Sequence, residues 1–135
     1  MSLIPQDLRY TREHEWASAA QDGKVKVGIT DFAQERLGDV VYLDLPPAGS
    51  AVTAGESMGE IESTKSVSDI FAPLSGTVAE VNAECQDNPA VVNQDPYGEG
   101  WLVVIEASDG PGEDALLTAE QYAALVKELE EGSTA

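Results

Sequence analysis

Basic residues are scarce in this chain: seven Lys and Arg stand against 25 Asp and Glu in 135 residues, a formal charge of -18. A field of that sign repels nucleic-acid phosphates and anionic lipid headgroups, and no local cluster of Lys or Arg reverses it near one surface. Neither nucleic acid nor a membrane surface is therefore an expected partner. Cysteine is scarcer still. Cys85 stands alone, which excludes an internal disulfide and any CxxC redox or zinc pattern, and it reads as a small core or surface filler. No apolar run approaches the roughly 18 residues of a membrane span. The first 16 residues lack the basic start and apolar stretch of a secretory signal, so the expected location is cytoplasmic.

Catalytic patterns are also missing. The one histidine, His14, sits among Arg12, Glu13, Glu15 and Trp16, from which no Ser-His-Asp set can be assembled; it reads as a packed, hydrogen-bonded corner. The glycines near Gly55 and Gly59 form neither GxGxxG nor a GK[ST] ending, which argues against a phosphate cradle. Carboxylates are plentiful, but the Dx[DN]x[DN]G spacing is absent, so no metal site is expected. A self-sufficient enzyme would need a catalytic set that the chain does not display.

What the chain does contain is a succession of short alternating runs. Lys24 to Ile29 places Val25, Val27 and Ile29 on one face, as a half-buried strand requires. Thr30 or Asp31 then opens a short helix that Gly38 stops. Val40 to Leu45 is a β-branched and aromatic run closed by Pro46-Pro47, with a turn at Gly49. Between Gly49 and Gly76, two strand-like arms flank the polar tetrapeptide Ser63-Thr64-Lys65-Ser66, the pattern of a hairpin with Lys65 at its tip. Gly76 to Asn82 reads as another strand, and a polar loop is expected through Asn93, Pro96 and Gly98-Glu99-Gly100. Trp101 to Glu106 supplies a further strand, and the stretch SDGPGEDA breaks the pattern after it. Thr118 and Gln121 have capping-box spacing, followed by Tyr122, Leu125, Val126 and Leu129 at helical period. The expectation is a single domain over residues 1–135, mainly β, with a short internal helix and a C-terminal helix at about 118–131.

Lys65 is the only lysine between Lys26 and Lys127. Turn lysines are commonly exposed and without function. An exposed amine on a flexible four-carbon stem is equally a good acceptor for acylation by a modifying enzyme, and sequence physics alone leaves the two readings open.

The segment GEIESTKSVSD, Gly59 to Asp69, resembles the lipoylation site of the H-protein family of the glycine cleavage system. Other stretches match in family order: His14-Glu15-Trp16, Val27-Gly28-Ile29-Thr30, Leu37-Gly38-Asp39-Val40-Val41, Leu45-Pro46, Pro73-Leu74-Ser75-Gly76, Val91-Val92-Asn93, and Asp95 through Trp101. Together they span nearly the whole chain. Gly49 lies 16 residues before Lys65 and Gly76 lies 11 after it, as in the wider lipoyl-domain pattern. Biotinyl domains resemble a Met-Lys-Met tip, whereas this chain has Thr64-Lys65-Ser66. Valine before the lysine and alanine after it are common in the family, so Thr64 and Ser66 are mild departures.

The resemblance implies a lipoyl-type barrel-sandwich hybrid with lipoic acid held as an amide on Lys65. It implies a carrier, not an enzyme, serving a pyridoxal-phosphate glycine decarboxylase, a tetrahydrofolate-dependent aminomethyltransferase and a dihydrolipoyl dehydrogenase, with a lipoylating enzyme as a fourth partner. By alignment with the family's cleft, Glu13, Glu15 and Asp69 are the expected contacts of the aminomethyl-loaded arm, because an ammonium end favours carboxylates. Asp69 ranks first among them for its place just beyond the tip. An alternative of a different class is a non-catalytic H-like scaffold or lipoate distributor, which retains the fold without ever being charged with an aminomethyl group.

Overall fold

A computed structural model describes residues 4–18, 23–107 and 116–132. In chain order the elements are β1 (Arg9–Tyr10), β2 (Glu15–Ala17), β3 (Lys24–Ile29), α1 (Asp31–Leu37), β4 (Val40–Asp44), β5 (Ala51–Val52), β6 (Ser57–Ser63) and β7 (Val67–Phe71), followed by β8 (Gly76–Val81), α2 (Ala83–Asp87), α3 (Ala90–Gln94), β9 (Val103–Ala107) and α4 (Ala119–Gly132). Six strands form one antiparallel sheet in the order β1-β2-β3-β9-β8-β5, and β4-β6-β7 form a second.

Period-two alternation decides which side chains the two sheets share. Val25, Val27 and Ile29 of β3, Val78 of β8 and Ile105 of β9 meet Leu43 of β4, Ile61 of β6 and Ile70 of β7 in one buried cluster. The result is a sandwich of sheets with short helices, consistent with the lipoyl-domain barrel-sandwich fold. A second, largely aromatic cluster joins Tyr10, Trp16, Phe32, Tyr122 and Val126, with the Tyr10 and Tyr122 rings stacked at 4.6 Å. It seats α4 against β1, β2 and α1. The capping box at its start is formed: Thr118 N–H donates to Gln121 Oε1 at 2.9 Å, and Gln121 N–H to Thr118 Oγ1 at 3.1 Å.

Two expectations need correction. The region before Trp101 is not only a loop, since it holds α2 and α3, so the internal helices number three among the described residues. Helices of five residues are too short to show a helical period, and neither has a side-chain cap. Buried Cys85 and Val92 anchor them, while Asn82 Nδ2 donates to the carbonyls of Glu99 (2.9 Å) and Trp101 (2.6 Å). The last strand starts at Val103 instead of Trp101, because Trp101 N–H closes a turn onto Gly98 O at 3.2 Å. The SDGPGEDA stretch lies outside the described residues.

Candidate functional site

The hairpin of β6 and β7 carries Lys65 at its exposed tip, and one side chain builds that tip. Ser63 is buried, and its Oγ accepts from the backbone N–H groups of Lys65 and Ser66, both at 3.1 Å, while donating to Ser66 O at 3.2 Å. Ser63 N–H also donates to Ser66 O at 2.8 Å. Local side-chain-to-backbone bonds of this kind hold a turn that would otherwise sample many states. The lysine backbone is therefore set in place while its side chain is exposed to solvent.

The tip is braced from the side by the loop that follows α1. Thr64 N–H donates to Asp39 O at 3.0 Å. Gly38, just before it, has φ 80° and ψ -157°, a combination essentially confined to glycine, and a Cβ there would lie 3.3 Å from Lys65 Cε. The lysine stem thus runs over Gly38. Asn93 on α3 holds this loop in turn: its Oδ1 accepts from Val40 N–H at 2.9 Å, and its Nδ2 donates to Gly38 O at 2.9 Å and to Gln34 Oε1 at 3.0 Å.

Beside the tip opens a cleft of about 740 Å³. Ile29, Phe32, Leu37, Ile61, Leu125 and Leu129 give it an apolar wall, and Glu13, Glu15, Arg36, Ser66, Asp69 and Glu128 add polar groups. Ser66 and Leu37 place its mouth next to Lys65 and Gly38. Arg36 is held at the wall by stacking over the Phe32 ring at 4.7 Å.

Glu13, Glu15 and Asp69, distant in sequence, all line this one cleft, yet their surroundings differ sharply. Glu13 is exposed. Asp69 is exposed too, and its Oδ1 accepts from Ser57 Oγ at 3.2 Å on the outer face of the sheet. Glu15 is only 2% exposed; Thr11 Oγ1 donates to its Oε1 at 2.7 Å and Phe71 N–H to its Oε2 at 3.3 Å. Burial strips water from the Glu15 carboxylate faster than those two donors replace it. Its pKa is accordingly pushed up to about 8, with the Glu13 charge adding to the effect.

Sequence reasoning treated His14 as a structural corner, and the geometry agrees. His14 has φ 72°, the one non-glycine residue with positive φ among those described. Its Nδ1 lies 2.9 Å from the Tyr122 hydroxyl, which also lies 2.7 Å from Thr30 Oγ1. One phenol thereby ties α4 to the turn that leads into β2 and to the cap of α1. Burial holds the His14 pKa below its ordinary value. Cys85 is a buried filler, its thiol pushed up to about 11 by burial. Ser63 and Asn93 are what the residue reading missed as site builders; each lay in a family-like stretch, but their roles depend on contacts that no local pattern encodes.

The comparisons with known proteins decide what such a tip and cleft belong to. The family model for the glycine cleavage H-protein matches residues 8–129. The chain belongs to the glycine cleavage H-protein family. It is 56% identical over 126 residues to the glycine cleavage system H protein of Mycobacterium avium (strain 104), covering 90% of this chain and 96% of that one. With the counterpart from Micrococcus luteus it shares 58% identity over 124 residues, 91% of this chain and 97% of that one. The crystal structure of a glycine cleavage system H protein from Mycobacterium marinum superposes with a TM-score of 0.82 at 49% identity, covering 90% of this chain and 97% of that chain. The chain is thus a lipoyl carrier that shuttles the aminomethyl group in glycine cleavage, and it is not itself an enzyme. H-proteins bind lipoic acid covalently and work with the components of the glycine decarboxylase complex. No helix among the described residues is long and apolar enough to cross a membrane.

Proposed function

We propose that Lys65 is the residue that bears lipoic acid, as an amide of its Nζ, and that the adjoining cleft shelters the aminomethyl-loaded arm. The observation that carries this reading is the tip itself: an exposed lysine on a hydrogen-bonded turn, its stem crossing Gly38 at the mouth of the cleft. The residues present fit the group. Ile29, Phe32, Leu37 and Ile61 suit an apolar arm, the buried carboxylate of Glu15 suits an ammonium, and amide formation removes the charge of Lys65. When bound, the group supplies a redox-active disulfide whose reduced form holds the aminomethyl unit.

Of the three carboxylates, Glu15 is the best placed to hold the ammonium, because it is buried in the wall, away from competing water, whereas Glu13 and Asp69 are exposed. An ammonium arriving beside Glu15 favours the ionised carboxylate, so seating the arm displaces a proton. The partners under this reading are the pyridoxal-phosphate decarboxylase, the tetrahydrofolate-dependent aminomethyltransferase, dihydrolipoyl dehydrogenase and a lipoylating enzyme.

The test has two stages. Intact mass after treatment with a lipoylating system should rise by one lipoyl group, mapped to Lys65, and Lys65→Arg should stay folded and unmodified; a group on Lys26 or Lys127 would overturn the assignment. Loss of the aminomethyl unit from purified, loaded protein without partners should then be faster in Glu15→Gln than in Glu13→Gln or Asp69→Asn. Equal decay in all three variants and the unmutated protein would defeat the sheltering role, and failure to load at all would favour the lipoate-distributing scaffold.

A further inference from the structure

Apart from Asp69, at the rim of the cleft, the outer face of the β4-β6-β7 sheet has no part in the chemistry described so far. Register sets Tyr42 opposite Glu62 and Glu62 opposite Val67; the next outward row sets Asp44 opposite Glu60 and Glu60 opposite Asp69. Tyr42 and Val67 are each 57% exposed, and a bulge between Val40 and Tyr42 turns Val41 to solvent as well. These are three of the four exposed large hydrophobic side chains among the described residues. Scattered exposed apolar residues are ordinary, whereas a group of them beside the tip marks an interaction surface.

The second row is costly for the fold. Like charges directly opposite on neighbouring strands destabilise a sheet, and β4, β6 and β7 contain no Lys or Arg to compensate. The first row borders the tip, with Glu62 three residues before Lys65 and Val67 two after it, and the second lies beside it, two residues further along each strand.

We propose that this face is the docking surface of the enzyme that acylates Lys65, met by a basic surface with an apolar recess for Tyr42. The inference rests on the assignment of the lipoyl group to Lys65. Reach selects this partner. The acylating enzyme must enclose Nζ itself, on a stem one lysine long, and a protein that surrounds so short a stem covers the strands on either side. Enzymes that act on the finished arm meet their target at the end of a much longer chain and need not cover this face. Charge selects the chemistry: four carboxylates call for Lys and Arg, and a formal charge of -18 works against a second copy of this chain. A tyrosine, apolar in body with a polar end, is a typical central anchor. In the reaction served, the neutral amine attacks the acyl carbon of a lipoyl adenylate. The C–N bond forms, the acyl–phosphate bond breaks, the nucleotide leaves and the amine proton goes to solvent.

The test measures KM and kcat for the apo-protein as acceptor, with purified lipoylating enzyme and lipoyl adenylate. Tyr42→Ser should raise KM at least about fivefold, the loss given by truncating an interface anchor, and leave kcat at saturating acceptor unchanged; Tyr42→Phe should restore most of the affinity. The double change Asp44→Asn with Glu60→Gln should raise KM at low salt and flatten its salt dependence. Each side chain is exposed, so Tyr42→Ser should keep the unmutated thermal midpoint, and the double change, which relieves like-charge repulsion across the strands, should match or exceed it. Variants driven to full lipoylation should be loaded by the decarboxylase and, once chemically reduced to the dithiol, reoxidised by dihydrolipoyl dehydrogenase at unmutated rates. Unchanged KM in Tyr42→Ser, or a parallel loss in the decarboxylase reaction, overturns the proposal. If the unmutated protein is acylated at some other lysine, the Lys65 assignment falls and this surface falls with it; normal acylation of Lys65 with indifferent variants removes the surface alone.

Discussion

Replacing Glu15 with Gln should abolish a distinctive fall in stability with rising pH. The Glu15 carboxyl is raised from an ordinary value of 4.5 to about 8, chiefly by burial. Between those values the unfolded chain has released the proton that the folded chain still holds. Unfolding then releases a proton, so stability is highest below about 4.5, declines as pH rises and is lowest above about 8. Full linkage gives a slope of about 1.4 kcal/mol per pH unit and a total of roughly 5 kcal/mol. With urea slopes of about 1–2 kcal/mol/M for a protein of this size, the midpoint should fall by on the order of 1 M per pH unit.

Two other influences share the window. His14, with a lowered pKa, gives a stability that rises with pH below its ordinary 6.5, and the charge of -18 weakens the fold generally as carboxyls ionise. Comparing the protein with Glu15→Gln at pH 5, 6, 7 and 8 largely cancels both. The difference between the two urea midpoints should shift steadily in favour of the variant as pH rises. The absolute offset is less informative, because an amide nitrogen facing Phe71 N–H would lose the bond now made to Glu15 Oε2. Parallel curves from pH 5 to 8 would show that Glu15 ionises normally, and the reasoning from burial would be refuted.

Gly38→Ala should cost about 1–3 kcal/mol, from a backbone conformation that alanine rarely adopts, and should slow acylation of Lys65 by pressing on its stem; chemical denaturation and lipoylation rates read the two effects. Asn93→Ala leaves Val40 N–H and Gly38 O without their partner, so a loss of about 1–3 kcal/mol is expected in the urea midpoint, together with faster amide exchange at Val40. Association of the lipoyl form with at least one partner enzyme should slow as ionic strength rises, because the charge of -18 steers toward basic surfaces; rates independent of salt for every partner in stopped-flow mixing would rule out steering.

Much of this protein is written locally. The alternation in Lys24–Ile29, the stop at Gly38, the polar tetrapeptide around Lys65 and the Thr118–Gln121 capping pair each depend on residues within a few positions of one another, and each has the form expected from them. The extreme charge and the lone cysteine likewise need no structure. Tertiary structure decided the rest. It gathered Glu13, Glu15 and Asp69 around one cleft, then separated them by burial, leaving Glu13 and Asp69 exposed while the buried Glu15 carboxyl is pushed up to about 8. It made Asn93 a brace for the tip from 28 residues away in sequence, placed α2 and α3 where no period could announce them, and aligned Asp44, Glu60 and Asp69 in one row. The physical reason is one of range. Backbone preference, capping and alternation act over a few residues, whereas desolvation, cross-strand register and long-range hydrogen bonds exist only once distant segments have packed together.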